Sequence, residues 1–372
     1  MKKGKLCRIL FGGDTGFGET WHKSLEKAGK GNILVKNGYR RMMTGFAPLM
    51  KRQNQIIANL ETPLVNPGSK TRLKPIPGKR YTNQGDAKRG PEIWKEFGIT
   101  AMSMANNHSI DYGLDGMKMT LSSLKKNGIR HFGAGYNLEE ASKPLVIRSG
   151  KIEIVVAGCY WMMPKMKNVY DYYATETNHG VFGFEDQLIN DVFGNLRRDH
   201  PQAILVGFPH FGNNYSWRNE RQQEIARKMI RAGADIVIGH GAHKLQEVEC
   251  YRDKWIIYNL GNFVYGAPGR YDKERSFPFS MICELVLYPG EKGIGEIKLY
   301  PFYCDNRKTD YISSPVSPKQ MEKVLGKLVK SDKNRSKLIG KFSAGSDEGG
   351  EFISLDLQPA KKQQGNRAKP AS

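Results

Sequence analysis

What is scarce in this chain narrows its class first. Five cysteines (Cys7, Cys159, Cys250, Cys283 and Cys304) are spread over 372 residues. They are odd in number and include no Cys-x-x-Cys pair, so neither a disulfide framework nor a thiolate zinc clamp is encoded. They read as reduced, mostly buried structural thiols. No apolar run approaches the ~18–20 residues that cross a bilayer. The first residues carry Lys2, Lys3 and Lys5, then only the short run Ile9-Leu10-Phe11 and no small-residue cleavage site, which fails as a signal peptide. The expected location is therefore cytoplasmic. Forty-one glycines follow no Gly-X-Y period, which excludes collagen. A content of 39% hydrophobic and 10% aromatic residues excludes wholesale disorder. A chain of this length buries a sizeable core, as one large domain with extensions or two medium ones.

Acidic residues are also in deficit: 37 Asp and Glu face 58 Lys and Arg, a formal charge of +21. Such a surplus points to polyanionic partners, although much of it is local. Lys70, Arg72, Lys74, Lys79 and Arg80 make one basic loop. Residues 319–341 hold eight Lys or Arg against Glu322 and Asp332, and Lys361, Lys362, Arg367 and Lys369 follow. Solvated faces account for most of this charge, with a polyanion contact as the alternative. No RNP, KH, helix-turn-helix or zinc-finger pattern accompanies it, so nucleic acid is the least favoured partner.

Short apolar runs recur, each ending in polar or glycine-rich residues: Leu6–Phe11, Gln55–Leu60, Ile99–Met104, Ile152–Ala157, Ala203–Phe208, Asp235–Ile238 and Trp255–Leu260. Runs of four to eight rich in Ile and Val predict buried strands. Between them lie helical stretches, Pro91–Phe97, Leu114–Asn127 and Arg218–Ala232, the last two stopping at Gly128 and Gly233. Alternating strand and helix predicts an α/β domain. Phe279–Leu287 and Ile297–Tyr303 read as a hairpin, so the main domain is expected over 5–305. Residues 306–345 are expected to form a basic amphipathic helical extension. Its helix 319–330 has Met321, Val324, Leu325, Leu328 and Val329 on one side. That side either packs on the main domain or supports peripheral contact with the inner membrane face. Residues 346–372 are expected to be a polar, largely disordered basic tail.

The informative feature is what ends the strands. Asp14, Glu61, Asn107 with His108, His210, and the pair His240 and His243 each sit just past a separate apolar run. Loops beyond the carboxyl ends of such strands converge on the ligand site. Two carboxylates, an amide and four imidazoles from five strand ends predict a metal site. Mixed nitrogen and oxygen ligation without thiolate suits one or two divalent ions of the Mn, Fe or Zn class in a catalytic rather than a structural role. His22, His131, His179 and His200 lack this context and are left as structural.

Several segments resemble one family: GGD at 12–14, NLETPL at 59–64, ANNHSIDYG at 105–113, GAGYNLEEASKP at 133–144, GADIVIGHGAH at 233–243 and YNLGNF at 258–263. In this order they are similar to the CapA family of poly-γ-glutamate capsule biosynthesis proteins, within the calcineurin-like metallophosphoesterase superfamily. The resemblance implies a four-layer α/β/β/α sandwich with two mixed β-sheets and a metal centre at their edge. It also implies a role tied to acidic capsule or cell-envelope polymers. Carried over, it puts Asp14 and His243 on a first ion, Glu61 as the bridging carboxylate, and Asn107, His210 and His240 on a second. His108 becomes the proton donor to a leaving oxygen, oriented by Asp111.

Three departures accompany the resemblance. Gly16 stands where metallophosphoesterases open with Asp-x-His. The last pair is spaced H-x-x-H. Asn214 replaces a glutamate usual after the HxG at 210–212.

Three functions fit. The first is a metal-dependent, phosphoesterase-like hydrolase acting on an anionic polymer or a phosphorylated small molecule. The second is a metal-assisted epimerase that abstracts a proton beside a carbonyl. The third is a non-catalytic component that binds anionic polymer during capsule synthesis or export. Arg72, Lys74 and Arg80 are candidates to line the mouth of the site and hold substrate, against the alternative of a solvated loop.

Overall fold

The computed structural model describes residues 6–65, 73–291, 293–330 and 335–357. In chain order its first half contains β1 (Cys7–Gly16), α1 (Glu19–Lys27), β2 (Gln55–Leu60), α2 (Arg89–Glu96), β3 (Ala101–Ser103), α3 (Gly113–Lys126), β4 (Arg130–Phe132), β5 (Leu145–Ser149) and β6 (Ile152–Trp161). There follow α4 (Asp186–Asp199), β7 (Ile204–His210), α5 (Glu220–Arg231), β8 (Ile236–Ile238), β9 (Val248–Tyr251), β10 (Lys254–Ile257) and β11 (Asn262–Tyr265). The chain continues with β12 (Phe279–Leu287), β13 (Glu296–Tyr303), α6 (Pro318–Leu328), β14 (Phe342–Asp347) and β15 (Gly350–Leu355).

Two mixed sheets result. The first runs β14-β15-β13-β12-β1-β2-β3-β4, with β11 alongside β1 and the short strand Ser314–Pro315 beside β13. The second runs β9-β10-β8-β7-β6-β5, with Gly183–Phe184 beside β6. In each, a parallel centre carries antiparallel strands at its flanks: β1, β2, β3 and β4 are parallel, as are β6, β7, β8 and β10.

The apolar runs lack period-2 alternation because both faces of these strands are covered. Ile9, Phe11, Ile57, Ala101, Ile154, Val156, Val206, Ile236 and Ile238 share one core. Their neighbours Leu10, Ile56, Ala58, Val155, Leu205 and Val237 join a second cluster with Trp94 of α2, Leu124 of α3, Phe193 of α4 and Met229 of α5. The first cluster is the inter-sheet layer and the second lies under the helices. The order is helices, sheet, sheet, helices, the α/β/β/α sandwich that the resemblance implies. All five cysteines are free, four of them buried and Cys250 half-buried.

The C-terminal part differs from expectation. An Asn219–Gln222 capping box starts α5, and a Ser317–Gln320 box with Pro318 in the first turn starts α6. Met321, Val324, Leu328 and Val329 are buried in the inter-sheet core, so the apolar side of α6 packs on the domain. Lys319, Lys323, Lys327 and Lys330 stay exposed. Residues 346–355 of the expected disordered tail are instead part of a hairpin. β14 pairs with β15, and β15 pairs with β13. The polar reading missed it because the hairpin buries little: none of β14, the edge strand, and only the alternate residues Ile353 and Leu355 of β15. The first sheet thus continues beyond residue 305. Residues 358–372 lie outside the described residues. Among the described residues no helix is long and apolar enough to cross a membrane.

Candidate metal centre

The carboxyl ends of β1, β2 and β3 in one sheet and of β7 and β8 in the other meet at one edge. Asp14 lies near the end of β1, His210 ends β7, and Glu61 and His240 lie just past β2 and β8. Asp14 forms one group with His210 and His240, and another with Glu61 and His243. Within each group the ligand atoms lie within 4.8 Å of one another. Asp14 Oδ1 is 3.5 Å from His240 Nδ1 and 3.8 Å from His210 Nδ1, and Asp14 Oδ2 is 3.3 Å from His243 Nδ1. Glu61 approaches His210 Nε2 at 3.9 Å and His243 Nδ1 at 3.8 Å. The carboxylate common to both groups is therefore Asp14.

Local sequence fixes this arrangement. Asn59 of the NLE motif donates to Asp14 Oδ1 at 2.9 Å, and Asn106 donates to Asn59 Oδ1 at 3.0 Å. The two asparagines tie three strand ends together. Gly241, between the paired histidines, has φ 109. A side chain there would meet the His210 ring at 2.9 Å, so the close approach of the imidazoles requires glycine. His243 itself sits in the left-handed region at φ 58, a strained state that persists only when its surroundings over-determine it. Its Nδ1 lies 2.9 Å from Asn262 Oδ1, and its carbonyl accepts from the Tyr271 hydroxyl at 2.7 Å. At Gly16, an added Cβ would meet Thr62 Cγ2 at 3.0 Å. A side chain there would require Thr62 to give way by a few tenths of an ångström.

The donors fit a divalent cation. Asp14 Oδ2, Glu61 Oε2, Asn107 Oδ1 and His240 Nε2 are buried without a hydrogen-bond partner, a costly state for charged or polar atoms. His210 Nδ1 faces His240 Nδ1 at 3.0 Å, so one of the two must act as an acceptor. Burial pushes Glu61 well above the usual carboxylate range, and the charge of Asp14 adds to this. Burial acts upward on Asp14 too. The His240 and His243 rings beside it, with the nearby imidazole charges, outweigh it and hold this carboxyl well below its ordinary value. Burial depresses His210 far below the usual imidazole range. On His243 burial also acts downward, but the Glu61 and Asp14 charges overcome it and raise the ring to about 9. Opposed shifts among neighbouring buried groups mark a site built for charge.

Beside the cluster, His108 Nδ1 lies 2.8 Å from Asp111 Oδ2. A carboxylate only accepts, so Nδ1 carries the proton and Nε2 is left for other work. The expected pair is therefore in contact. Of the basic loop, Arg72 lies outside the described residues, and Lys74 and Arg80 are exposed. The Arg80 guanidinium lies 5.2 Å from the Tyr81 ring centroid. Among the described residues neither Lys74 nor Arg80 bonds to the cluster. The loop instead sends Lys79 inward. Its Nζ donates to Asp111 Oδ1 and to the Asn107 carbonyl, and lies 3.4 Å from the Tyr172 hydroxyl. Asn83, from the same loop, donates its backbone N–H to Asp111 Oδ2 at 2.7 Å and its side chain to the Glu61 carbonyl at 3.0 Å. Lys79, Asn59 and Asn262 are among the site residues that sequence reasoning missed. NLE and GNF held signals for the asparagines, whereas nothing marked Lys79 among its neighbouring lysines.

Fold and cluster together define a two-sheet α/β protein with a buried nitrogen–oxygen ligand set at the strand ends. Residues 8–267 match the model of the bacterial capsule synthesis protein PGA_cap, and the chain belongs to that family. Similar curated proteins include the PGA biosynthesis protein CapA of Bacillus subtilis, 29% identical over 63% of this chain and 59% of that protein. The capsule biosynthesis protein CapA of Bacillus anthracis is 26% identical over 63% of this chain and 56% of its own length. The chain thus spans less than two thirds of either relative. A "Probable polyglutamine synthesis accessory protein" of Mycobacterium tuberculosis is 26% identical over 73% of this chain and 78% of its own. Among solved structures, a phosphatase from Mycoplasma pneumoniae aligns with TM-score 0.44 and 11% identity, covering 86% of this chain and 97% of that one.

Proposed function

We propose that this protein is a metal-dependent hydrolase of the phosphoesterase type, serving the synthesis of an anionic capsule or cell-envelope polymer. One observation carries the reading. Partnerless ligand atoms of Asp14, Glu61, Asn107 and His240 occur beside a histidine whose proton is placed by a carboxylate. A pure scaffold has no need of that combination.

Asp14, Glu61 and His243 would hold one ion, and Asp14, His210 and His240 a second, with Asn107 completing the set and Asp14 shared between them. A divalent ion bound there supplies Lewis-acid polarisation of a phosphoryl or carbonyl oxygen. His108 moves the proton: Asp111 accepts from Nδ1–H, and the ring, when doubly protonated, would give its Nε2 proton to the leaving oxygen and return to the neutral Nδ1–H form. Lys79 and the Asn83 N–H hold Asp111 in place for that task. Asn59 and Asn106 keep the strand ends in register. The reading carries a cytoplasmic location, with the lysines of α6 available for peripheral contact with anionic polymer or the inner membrane face.

The test is a panel of Mn-, Fe- and Zn-reconstituted protein against p-nitrophenyl phosphate, bis-p-nitrophenyl phosphate and γ-glutamyl peptides. Turnover of a phosphoester that chelation abolishes supports the proposal. Solvent deuterium exchange at the α-carbon of the peptides without cleavage points to the epimerase instead. Bound metal with no turnover of any kind leaves a binding component.

A further inference from the structure

A cleft of about 690 Å³ opens beside the metal centre, lined by Trp161, Met163, Pro164, Asn213, Arg218 and Arg221, with Glu220 as the acid on its rim. Its place follows from strand register. β6 and β7 run parallel with Tyr160 opposite His210; Trp161 is the next residue along β6, and Asn213 follows His210 by three. The Tyr160 ring lies 5.5 Å from the His210 ring, and its hydroxyl donates to Met163 Sδ at 3.4 Å. One tyrosine side chain therefore spans from the ligand cluster to the cleft wall.

The two guanidiniums in this cleft are held yet uncommitted. Arg221 lies 5.4 Å from the Trp161 ring centroid and gives one N–H to the Met162 carbonyl at 2.9 Å. Arg218 lies 5.2 Å from the Tyr258 ring centroid. Among the described residues neither forms an ion pair, whereas Arg52, Arg197 and Arg227 all meet carboxylates. A guanidinium fixed by an aromatic face retains forked N–H donors for a planar carboxylate, and little of its freedom remains to be lost on binding. Trp161, Met163 and Pro164 add an apolar wall for the spacer between charges.

We propose that this cleft is a subsite for a carboxylate-bearing chain, with Arg218 and Arg221 each receiving one carboxylate and Trp161 supporting the backbone between them. The inference rests on the proposed function, since it supplies the acidic polymer segment next to the bond acted on. It is tested with the full-length protein and fluorescein-labelled hexaglutamate by anisotropy, with hexaglutamine as the uncharged control. Arg218→Gln and Arg221→Gln are each expected to weaken hexaglutamate binding about tenfold, as for loss of a charge-assisted hydrogen bond, and to leave the weak hexaglutamine binding unchanged. Metal content is measured on the same samples. A wild type without metal that still binds hexaglutamate through Arg221 sinks the metal reading and keeps the cleft. A metal-loaded wild type whose affinity is indifferent to both arginines overturns the cleft and keeps the metal reading. Polyphosphate binding more tightly than hexaglutamate, and losing affinity in the same variants, overturns the carboxylate assignment.

Discussion

At the scale of single residues, the division of labour between ligands and proton carrier can be separated experimentally. His108 bonds to Asp111 and is absent from both ligand groups. His108→Ala should therefore keep bound metal while lowering turnover about 10²-fold or more, the usual contribution of a general acid. Asp14 belongs to both groups, so Asp14→Ala should lose metal and turnover together. Equal metal loss in the two variants would make His108 a ligand. Lys79 offers a second test. Its side chain is 8% exposed and that of Asp111 is fully buried. Removing one partner of a buried pair leaves an uncompensated charge, at a cost of about 3–5 kcal/mol. Because His108 and the Asn83 N–H still bond to Asp111, Lys79→Met should lose less than that, about 1–3 kcal/mol, in urea unfolding at pH 7, and the double variant with Asp111→Asn should recover part of it. Additive effects would show that the two side chains are not coupled.

At the scale of elements, legibility in the sequence tracked burial. Strands covered on both faces wrote themselves as continuous apolar runs, so β1, β2, β6, β7 and the ligands at their ends could be read directly. β14 and β15 could not, because β14, at the sheet edge, buries no residue and β15 buries only Ile353 and Leu355. The inward turn of Lys79 was equally silent: its direction is set by Asp111, far away in the chain, and no period encodes that. α1 shows a further effect hidden from sequence. Its first residue, Glu19, is buried, accepts from the Asp86 N–H at 2.9 Å and leaves Oε2 without a partner. Burial, reinforced by the Asp86 charge and only partly offset by backbone hydrogen bonds and Lys23, pushes its carboxyl up to about 7 from 4.5. The folded state therefore binds this proton more tightly than the unfolded one. Glu19's own contribution to stability is greatest below about pH 4.5 and is lost as pH rises through about 7, by roughly 3 kcal/mol in all. Glu19→Gln should be more stable than wild type at pH 8 and nearly equal at pH 4.5. A difference between the two that does not change with pH would rule out this titration.

For the molecule as a whole, the question is whether the family-matched segment, residues 8–267, stands alone. The topology says it does not. β1 lies between β2 and β12, so truncation after 267 strips one neighbour from the strand that carries Asp14. It also removes Met281, Cys283, Leu285, Leu299, Val324 and Leu328 from the inter-sheet core. Each large aliphatic side chain removed from a core costs about 2–5 kcal/mol, against a total stability of about 5–15 kcal/mol. The loss exceeds what the remainder can supply. The site would suffer directly as well: Tyr271 supports the strained His243 carbonyl, and Ser276 donates to the Tyr215 carbonyl at 2.8 Å. A fragment ending at 267 is expected to be unfolded by far-UV circular dichroism and to retain no metal. The full chain should lose sheet signal and bound metal at one common midpoint. Saturating Mn²⁺ or Zn²⁺ should raise that midpoint, since a ligand at 100 times its Kd stabilises the native state by about 2.7 kcal/mol. A folded, metal-binding fragment, or separate midpoints for sheet and metal, would instead make the C-terminal strands an appendage. The ligand cluster would then be held by the matched segment alone.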